Sequence, residues 1–320
     1  MLSRSAEGLY WMGRYFERAE YLCRLLRWQV ETLVDRPIRE IYFGWSRIYM
    51  SLNRQPPGGR LELLGNDDYT LADSYTLAGD LTFESPDSIW NCFALGRENA
   101  RQMRHCISAE MWTCLNLAYL GLRKSSIQEI WKTAPESFYA ETASEINTLT
   151  GVAEATMYRD EGWHFLQLGR FIERVQCSTA LLLSQLAIAK LRDVSFDADW
   201  MSLLRVCQAN DAYYRNYSVD VQPHRVLDLL VTDPSLHNSL CCSLKAVAAE
   251  LDAIGPGPQE HSSAAARRMA GRMSALIQND WPDREDHDAL LEQVRQSSWE
   301  LHDLLIAAYI NYAIEDSPAR

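Results

Sequence analysis

Two copies of one charged heptapeptide carry the residue types in this sequence that are best suited to chemistry. Gly13-Arg14-Tyr15-Phe16-Glu17-Arg18-Ala19 recurs 156 residues later as Gly169-Arg170-Phe171-Ile172-Glu173-Arg174-Val175. Each copy, here called a Glu-Arg motif, has two arginines and one glutamate, so one guanidinium per copy needs a carboxylate from another helix or from an anionic ligand. The motifs therefore form either an internal ion-pair network or a substrate site. The residues concerned are Arg14, Glu17, Arg18, Arg170, Glu173 and Arg174.

A second group of arginines follows one face of a predicted helix. The polar candidates for anion binding in this segment are Arg97, Asn99, Arg101 and Arg104. The three arginines are spaced i, i+4 and i+7, which places them on one side of a helix, and we call them the arginine stripe. The second half of the chain has Ala248 and Asp252 at the corresponding positions, so the stripe belongs to one half only. We expect a cavity or groove lined by the stripe beside the first Glu-Arg motif; the alternative is a solvated face.

Other catalytic chemistries have little support in the sequence. Glu161 and His164 have the Glu-x-x-His spacing of di-iron bundle sites, but no second such pair exists. The chain has no nucleophile elbow, no glycine-rich phosphate loop and no dinucleotide fingerprint. We therefore predict no metal and no cofactor, assign no catalytic residue, and do not expect the chain to bind ATP by itself.

Charge and cysteine usage exclude further classes of protein. The 320 residues include 31 basic and 43 acidic ones, giving a formal charge of −12, which argues against nucleic acid and anionic membranes as partners. The eight cysteines form no C-x-x-C pair, which is typical of reduced thiols in a cytoplasmic protein. The N-terminal residues lack the pattern of a signal peptide. The longest apolar run, 175–189, is too short and too polar to span a bilayer.

Helical patterns dominate the elements that must position these residues, and we find no convincing strand pattern. The sequence predicts an all-α protein with helices over 4–34, 37–52, 69–81, 87–106, 109–123, 136–158, 161–192, 196–216, 223–232, 237–254, 261–279 and 284–315. Asp87 and Ser88, after Pro86, are typical of a helix start.

An internal repeat extends beyond the two motifs. A heptad seam of eight positions, Leu9 to Leu33, has a counterpart at the same offset from Phe165 to Ala189. We interpret this as a tandem duplication with halves of about 1–158 and 159–320, packed together as one helical bundle and one domain, 1–320. The two motif helices should lie centrally, related by a pseudo-two-fold axis. Both motif glutamates should be buried, and each should contact at least one arginine.

These motifs, in this order, resemble the alpha-E family, an all-helical bacterial family named for its Glu-Arg motif. The resemblance covers most of the chain. It is carried by Leu2-Ser3-Arg4, Ala6-Glu7-x-Leu9-Tyr10-Trp11, Gly13-Arg14-x-x-Glu17-Arg18-Ala19-Glu20, Pro86-x-Ser88-Ile89, Arg97-Glu98-Asn99-Ala100-Arg101-x-x-Arg104, Ile107-Ser108-x-Glu110-x-Trp112-x-x-Leu115-Asn116, Gly169-Arg170-x-x-Glu173-Arg174 and Pro223. Where the family tends to have Pro-Arg-Ser in the second half, this chain has His237-Asn238-Ser239, so no role of that arginine is carried over.

The resemblance implies a genomic setting rather than an activity. Genes of this family typically lie beside, or are fused to, a circularly permuted ATP-grasp amide ligase, often with a transglutaminase-like protease. We therefore expect a helical partner or substrate-handling subunit of an amide or peptide ligase, holding a peptide or amino-acid carboxylate at arginine–glutamate clusters. One alternative is a stand-alone enzyme of the same pathway that uses Glu17 or Glu173, although flanking arginines make a carboxylate a weak base. Another is a purely structural scaffold.

Overall fold

Helices make up the regular structure of the described part of the chain, residues 2–59, 71–190, 197–282 and 286–311 of a computed structural model. No strand occurs in these ranges, so the predicted all-α class is confirmed. The α-helices are α1 (Ser3–Glu31), α2 (Ile38–Ser51), α3 (Leu71–Gly79), α4 (Ile89–Gln102), α5 (Ala109–Leu122), α6 (Ile127–Lys132), α7 (Pro135–Thr156), α8 (Glu161–Lys190), α9 (Asp197–Val206), α10 (Asn210–Asn216), α11 (Pro223–Thr232), α12 (Leu240–Ile254), α13 (Glu260–Ala275) and α14 (His287–Leu305). Short π-helical turns follow α3, α13 and α14, at Asp80–Glu84, Leu276–Asp280 and Ile306–Ile310.

The structure divides one predicted helix and adds a short helix that the sequence pattern does not predict. The helix predicted over 196–216 is two helices, because Gln208 adopts a left-handed conformation with φ of 54° that a helix cannot continue through. The short helix α6 was not predicted; the Ser126 side chain caps it by accepting a hydrogen bond from the Glu129 amide. Positions 69–70, 191–192, 196, 284–285 and 312–315 of the predicted helices lie outside the described residues.

The centre of the fold is the crossing of α1 and α8, which are 29 and 30 residues long. Both helices are buried on nearly all sides, as their apolar seams and additional apolar residues require. They cross where Gly13 faces Leu166 and Gly169 faces Tyr10. A Cβ atom at Gly13 would lie 2.1 Å from the Leu166 carbonyl oxygen, and one at Gly169 would lie 2.0 Å from that of Tyr10. The missing side chains therefore let the two backbones touch.

The remaining helices surround this pair in two similar layers. α1 packs against α4 and α7, and α5 bridges those two; α8 packs against α12 and α14, and α13 bridges those two. The α2 helix packs mainly on α8, whereas α9 packs on α1. The Ser88 and Ser239 side chains cap α4 and α12, and each accepts a hydrogen bond from the backbone amide three residues later. This confirms the helix start predicted at Ser88.

All eight cysteines are free thiols, and five of them are buried. Within the residues that the structure describes, no helix combines the length and the apolar character needed to cross a bilayer.

Candidate functional site

The two Glu-Arg motifs meet at the helix crossing and exchange partners. The Glu173 carboxylate accepts hydrogen bonds from Arg14 Nε and Arg18 Nε, both at 2.6 Å. Its side chain is only 2% exposed. We call these three residues the Glu173 cluster. The second motif thus supplies the carboxylate and the first motif supplies both cations.

The reciprocal arrangement holds for the carboxylate of the first motif. Glu17 accepts from Arg174 Nε at 2.5 Å and Arg174 Nη2 at 3.0 Å, and from Arg170 Nε at 3.1 Å. We call these residues the Glu17 cluster. Glu17 and Glu173 are 5% and 1% exposed, so the prediction of buried glutamates in contact with arginine is confirmed.

The further partners of these arginines explain how the excess positive charge is compensated. Arg18 Nη1 donates to Asp87 at 2.5 Å, and Arg170 Nη1 lies 3.7 Å from Glu154. Arg14 donates to Gln176 at 2.5 Å. Carboxylates elsewhere in the chain thus balance both clusters, as the ion-pair interpretation of the sequence requires.

Arginine holds both motif carboxylates in the ionised form. Burial raises the pKa of Glu17, but Arg174 and Arg170 outweigh burial and lower it to about 2. Burial likewise raises the pKa of Glu173, and Arg14 and Arg18 reverse that effect and leave the pKa below its ordinary value. Carboxylates with such low pKa values are weak bases at neutral pH, so the geometry disfavours either glutamate as a general base.

A neutral histidine completes the surroundings of Arg14. Tyr10 Oη and Arg14 Nη1 lie 2.7 Å and 3.0 Å from His302 Nδ1. Because a guanidinium can only donate, Nδ1 must be the acceptor and the ring proton must lie on Nε2. Burial and the charge of Arg14 lower the pKa of His302 to about 4. His237, beside the Glu17 cluster, has a pKa lowered to about 4 by burial, Arg174 and Arg170.

These two histidines should make the folded state lose stability as the pH falls from about 6.5 toward 4. In that window the unfolded chain binds protons that the folded chain excludes, so stability rises with pH. Above pH 6.5 the contribution is fully present. Urea denaturation at pH 7 and pH 5 measures this effect. A His237→Gln, His302→Gln double variant should lose less stability between these pH values than the parent chain, and equal losses would contradict the assignment.

The Glu17 cluster forms one wall of a cavity of about 160 Å³, here called the Glu17 cavity. It is lined by residues of α1, α5, α7 and α8, by Gln208 between α9 and α10, and by the segment preceding α12. The polar lining consists of Glu17, Glu20, Asn147, Thr150, Gln167, Arg170, Arg174, Gln208, His237 and Asn238; the apolar lining includes Phe16, Met111, Ile146, Leu149 and Leu166. Charges of both signs and four carboxamides thus face the cavity. Its volume is close to that of a cavity of about 150 Å³ that admits benzene in another protein.

The second carboxylate of this cavity behaves differently from Glu17. Arg24 Nε donates to Glu20 at 2.8 Å, while Arg24 Nη1 donates to the Val206 carbonyl at 2.7 Å. Burial raises the pKa of Glu20, Arg24 opposes this, and the nearby charge of Glu17 raises it further. Glu20 therefore takes up a proton more readily than Glu17, and the cavity holds two carboxyl groups with different protonation behaviour.

A second cavity, of about 300 Å³, lies beside the Glu173 cluster. We call it the Glu173 cavity. Its wall includes Glu173 and Arg18 from the two motifs and Asn53, which follows α2. Asn53 and Gln208 both have left-handed backbones, with φ of 50° and 54°. One such residue stands in the wall of each cavity, 155 positions apart in the sequence.

The arginine stripe lies outside both of these cavities, so the expectation of a separate cavity or groove lined by the stripe stays a prediction. The guanidinium of Arg97 is 4.3 Å from the ring centre of Tyr119, and Arg104 is 4.8 Å from that of Trp112. Arg101 pairs with Glu98 on the exposed helix surface. Aromatic faces and a local carboxylate thus relieve the mutual repulsion of the stripe.

The smaller contacts of this segment are local. Arg97 donates twice to Asn116, at 3.1 Å and 2.8 Å. Asn99 is half-buried, and its backbone carbonyl accepts from Met103. These hydrogen bonds and ring contacts of the stripe arginines are made with α4 and α5.

Several residues of the Glu17 cavity carried no functional signal in the sequence. Glu20 is one turn beyond Glu17, whereas Asn147 and Gln208 come from segments with no motif. Asn238 lies at the departure from the usual Pro-Arg-Ser pattern, and it donates to the Cys207 carbonyl and to Gln208 Oε1, both at 3.1 Å. The departure from Pro-Arg-Ser was a sequence feature that could have indicated this cavity, because it places a different side chain in the cavity wall.

No group of three or more metal-ligating side chains occurs in the part of the chain that the structure describes. The imidazole of His164 lies 2.6 Å from Glu250.

Known proteins are similar to this chain in sequence. The chain is 26% identical to an uncharacterized protein of Mycobacterium bovis and to uncharacterized proteins of two Mycobacterium tuberculosis strains, over 91% of its own length. It spans about a third of the length of these relatives. No solved structure matches it. A family model described as a predicted alpha-helical domain with a conserved ER motif matches residues 1–310. The Glu-Arg pairs of this sequence are Glu17-Arg18 and Glu173-Arg174, and the chain belongs to the alpha-E family.

Proposed function

We propose that this chain is the helical, substrate-handling partner of an ATP-grasp amide or peptide ligase. In this proposal it holds a carboxylate-bearing peptide or amino acid beside the crossed arginine–glutamate clusters. The observation that carries the proposal is the Glu17 cavity, where Arg170 and Arg174 stand beside Glu17, Glu20 and four carboxamides. No catalytic role is assigned to any residue.

The composition of this cavity suits an amino acid or a short peptide. Guanidinium groups bind carboxylates through paired hydrogen bonds. Each carboxamide offers both a donor and an acceptor, as a peptide group does. The carboxylates of Glu17 and Glu20 can receive an amine. A nucleic acid would find little net positive charge here, because Glu17 and Glu20 offset Arg170 and Arg174.

The low pKa of Glu17 is the reason for placing binding ahead of catalysis. A stand-alone enzyme that used Glu17 as a base would need a carboxyl whose pKa lies near the working pH. Arg174 and Arg170 lower that pKa to about 2. A fixed negative charge held between two cations instead suits the positioning of a charged substrate.

A tandem duplication of one domain, with halves of about 1–158 and 159–320, underlies the proposal. The two halves correspond at an offset of 156 residues, so Gly13 corresponds to Gly169 and Leu166 corresponds to Tyr10. The Gly13–Leu166 contact therefore has its counterpart in the Gly169–Tyr10 contact. The same correspondence relates the Glu17 cluster to the Glu173 cluster. Reciprocal contacts of this kind support a pseudo-two-fold axis through the crossing.

The partner part of the proposal rests on the gene context typical of the family, in which a circularly permuted ATP-grasp ligase and often a transglutaminase-like protein accompany the alpha-E gene. The mycobacterial relatives are about three times as long as the matched segment, which is compatible with a module that works beside other domains. The free thiols support a cytoplasmic setting.

The arginine stripe is the surface that we assign to the ligase. Arg101 and Arg104 are exposed, and no described carboxylate pairs with Arg104. Leu117 and Leu120 are also exposed, at 65% and 41%, on the adjacent α5. Basic side chains next to apolar ones fit a partner surface that is acidic at its rim and apolar at its centre.

The test is co-purification of the chain with the ligase encoded beside it, followed by phosphate release from ATP with and without the chain. The chain should bind the ligase and raise ATP turnover in the presence of peptide substrate. An Arg101→Ala, Arg104→Ala variant should keep its helical circular dichroism but bind the ligase about tenfold more weakly. Arg268→Ala with Arg272→Ala, a matched exposed pair on α13, should bind normally.

Two results would overturn the assignment. If the unaltered chain neither binds the ligase nor changes its ATP turnover, the partner function is wrong. If the stripe variant binds as tightly as the unaltered chain, the stripe is a solvated face and the interface lies elsewhere.

A further inference from the structure

The Glu173 cavity contains cationic groups whose hydrogen bonds are incompletely used. Arg54 lines it, and the Nη1 atom of Arg54 is buried without any hydrogen-bond partner among the described residues. Among the residues that the structure describes, Asp80 forms an ion pair with Arg54, at 3.9 Å from Nη2. The Arg54 side chain is 26% exposed and has no closer ion pair among the described residues, so its accessible part can bind an anionic group that enters the cavity.

A second cation faces the same space, and the ion pair that it makes is with a neighbour on its own helix. Arg295 lines the cavity and pairs with Glu292, one turn earlier on α14. The Arg295 side chain is 39% exposed, so a ligand can reach it. Arg18, by contrast, is bound on both sides by Glu173 and Asp87.

The cavity also offers an anionic group and an apolar surface. The Asp87 side chain is half exposed and contacts Arg18 through one carboxylate oxygen. The Trp299 side chain is 48% exposed, and Leu52 and Ala180 lie in the same wall. An indole face in a partly wet site is suited to an aromatic or aliphatic side chain.

We propose that the Glu173 cavity is a separate binding site for a free α-amino acid, or a dipeptide of similar size, with an apolar or aromatic side chain. Arg54 and Arg295 receive the carboxylate, Asp87 receives the ammonium group, and Trp299 covers the side chain. The volume of about 300 Å³ is roughly twice that of a cavity that holds benzene, which leaves room for both the ring and the charged end. The choice of substrate class rests on the proposed function.

The same charges argue against a phosphate ligand. Asp87 and Glu173 lie in the wall together with Arg18, Arg54 and Arg295. The cavity therefore presents both signs of charge, whereas a phosphate of nearly two negative charges suits a wall of positive groups alone. An amino acid, neutral overall, places one charge opposite each kind of group.

Calorimetric titration of the full chain with three related probes tests the site. L-Phenylalanine carries both charged groups, 3-phenylpropionate lacks the amine, and phenethylamine lacks the carboxylate. L-Phenylalanine should bind about tenfold more tightly than either analogue, because each analogue forgoes a charge-assisted hydrogen bond.

Two variants should give opposite patterns across the probes. Arg54→Gln should weaken L-phenylalanine and 3-phenylpropionate about tenfold and leave phenethylamine unchanged. Asp87→Asn should weaken L-phenylalanine and phenethylamine without weakening 3-phenylpropionate, because the lost carboxylate also leaves Arg18 less compensated. General damage to the fold would instead weaken all three probes equally. Arg101→Gln, outside both cavities, is the matched arginine control and should change nothing.

Three outcomes would overturn the proposal: no binding of L-phenylalanine, no effect of Arg54→Gln on it, or its loss in an Asn147→Ala variant, which alters only the Glu17 cavity. The test is separable from that of the proposed function, since it needs neither ligase nor ATP. Binding without any effect on the ligase would reject the partner function alone.

Discussion

Alanine at Gly13 or Gly169 is expected to destabilise the protein by about 3 kcal/mol, although the same change in an open helix is stabilising. The new methyl carbon would lie 2.1 Å from the Leu166 carbonyl oxygen in the first variant and 2.0 Å from that of Tyr10 in the second. Because the obstructing atoms are backbone, no side-chain rotation relieves the clash. The two longest helices must separate, and the crossed clusters must lengthen their hydrogen bonds.

The chain provides its own control for this prediction. Gly151 and Gly271 lie inside α7 and α13, and no atom of a neighbouring group comes within 4 Å of the place that an alanine methyl carbon would take. Gly151→Ala and Gly271→Ala should therefore stabilise by about 0.5–1 kcal/mol. Urea denaturation of all four variants measures the sign and size of each change. If Gly13→Ala and Gly151→Ala shift stability in the same direction, the close helix crossing is wrong.

Removing either motif carboxylate is expected to cost about 3–5 kcal/mol of stability, because it leaves a buried guanidinium without its counter-ion. Glu173→Ala strands Arg14, whose side chain is 2% exposed. Glu17→Ala strands Arg174, whose side chain is 5% exposed. Thermal and urea denaturation report the loss. Glu98→Ala, which breaks an exposed pair with Arg101, should have little effect.

A double variant separates the charge effect from lost packing. Replacing Arg14 with Met in the Glu173→Ala background removes the stranded charge and keeps much of the volume, so part of the stability should return. No recovery would mean that the carboxylate contributes mainly through packing and through Arg18.

Acid titration gives an independent measure of the Glu17 cluster. Because the pKa of Glu17 in the folded chain is about 2 and the ordinary value is 4.5, its contribution is fully present above pH 4.5. It declines below that pH and is lost as the pH falls through 2. The Glu17→Ala variant should show a smaller decline over this interval. An unchanged acid limb would contradict the pairing.

Much of the secondary structure could be predicted from the sequence, because helix formation depends on residues that lie close together in the chain. Apolar spacing predicts helices wherever burial of one face outweighs the entropy of ordering the chain. A helix that is apolar on both sides must be buried, and a buried glutamate needs a cation. The residue pattern alone therefore placed Glu17 and Glu173 in arginine contacts. It also identified the family to which the chain belongs.

The choice of arginine partners was decided only by the tertiary structure. Arg14 lies three residues before Glu17, and a pair within one helix was equally compatible with the spacing. The touching glycines at 13 and 169 bring the two motifs face to face instead, so that Glu173 takes Arg14. A crossing angle and an approach distance arise from packing between remote segments, and no local pattern encodes them.

Cavities are equally beyond local reasoning, because their walls come from distant parts of the chain. The arginine stripe had the sequence signature of a site, but the aromatic rings against Arg97 and Arg104 were not predicted from it. Arg54 and Trp299 had no signature, yet they face one cavity. The sequence by itself determined most of the helices, the burial of the two carboxylates and the family. The fold alone decided which side chains share a space, since that depends on where whole helices pack.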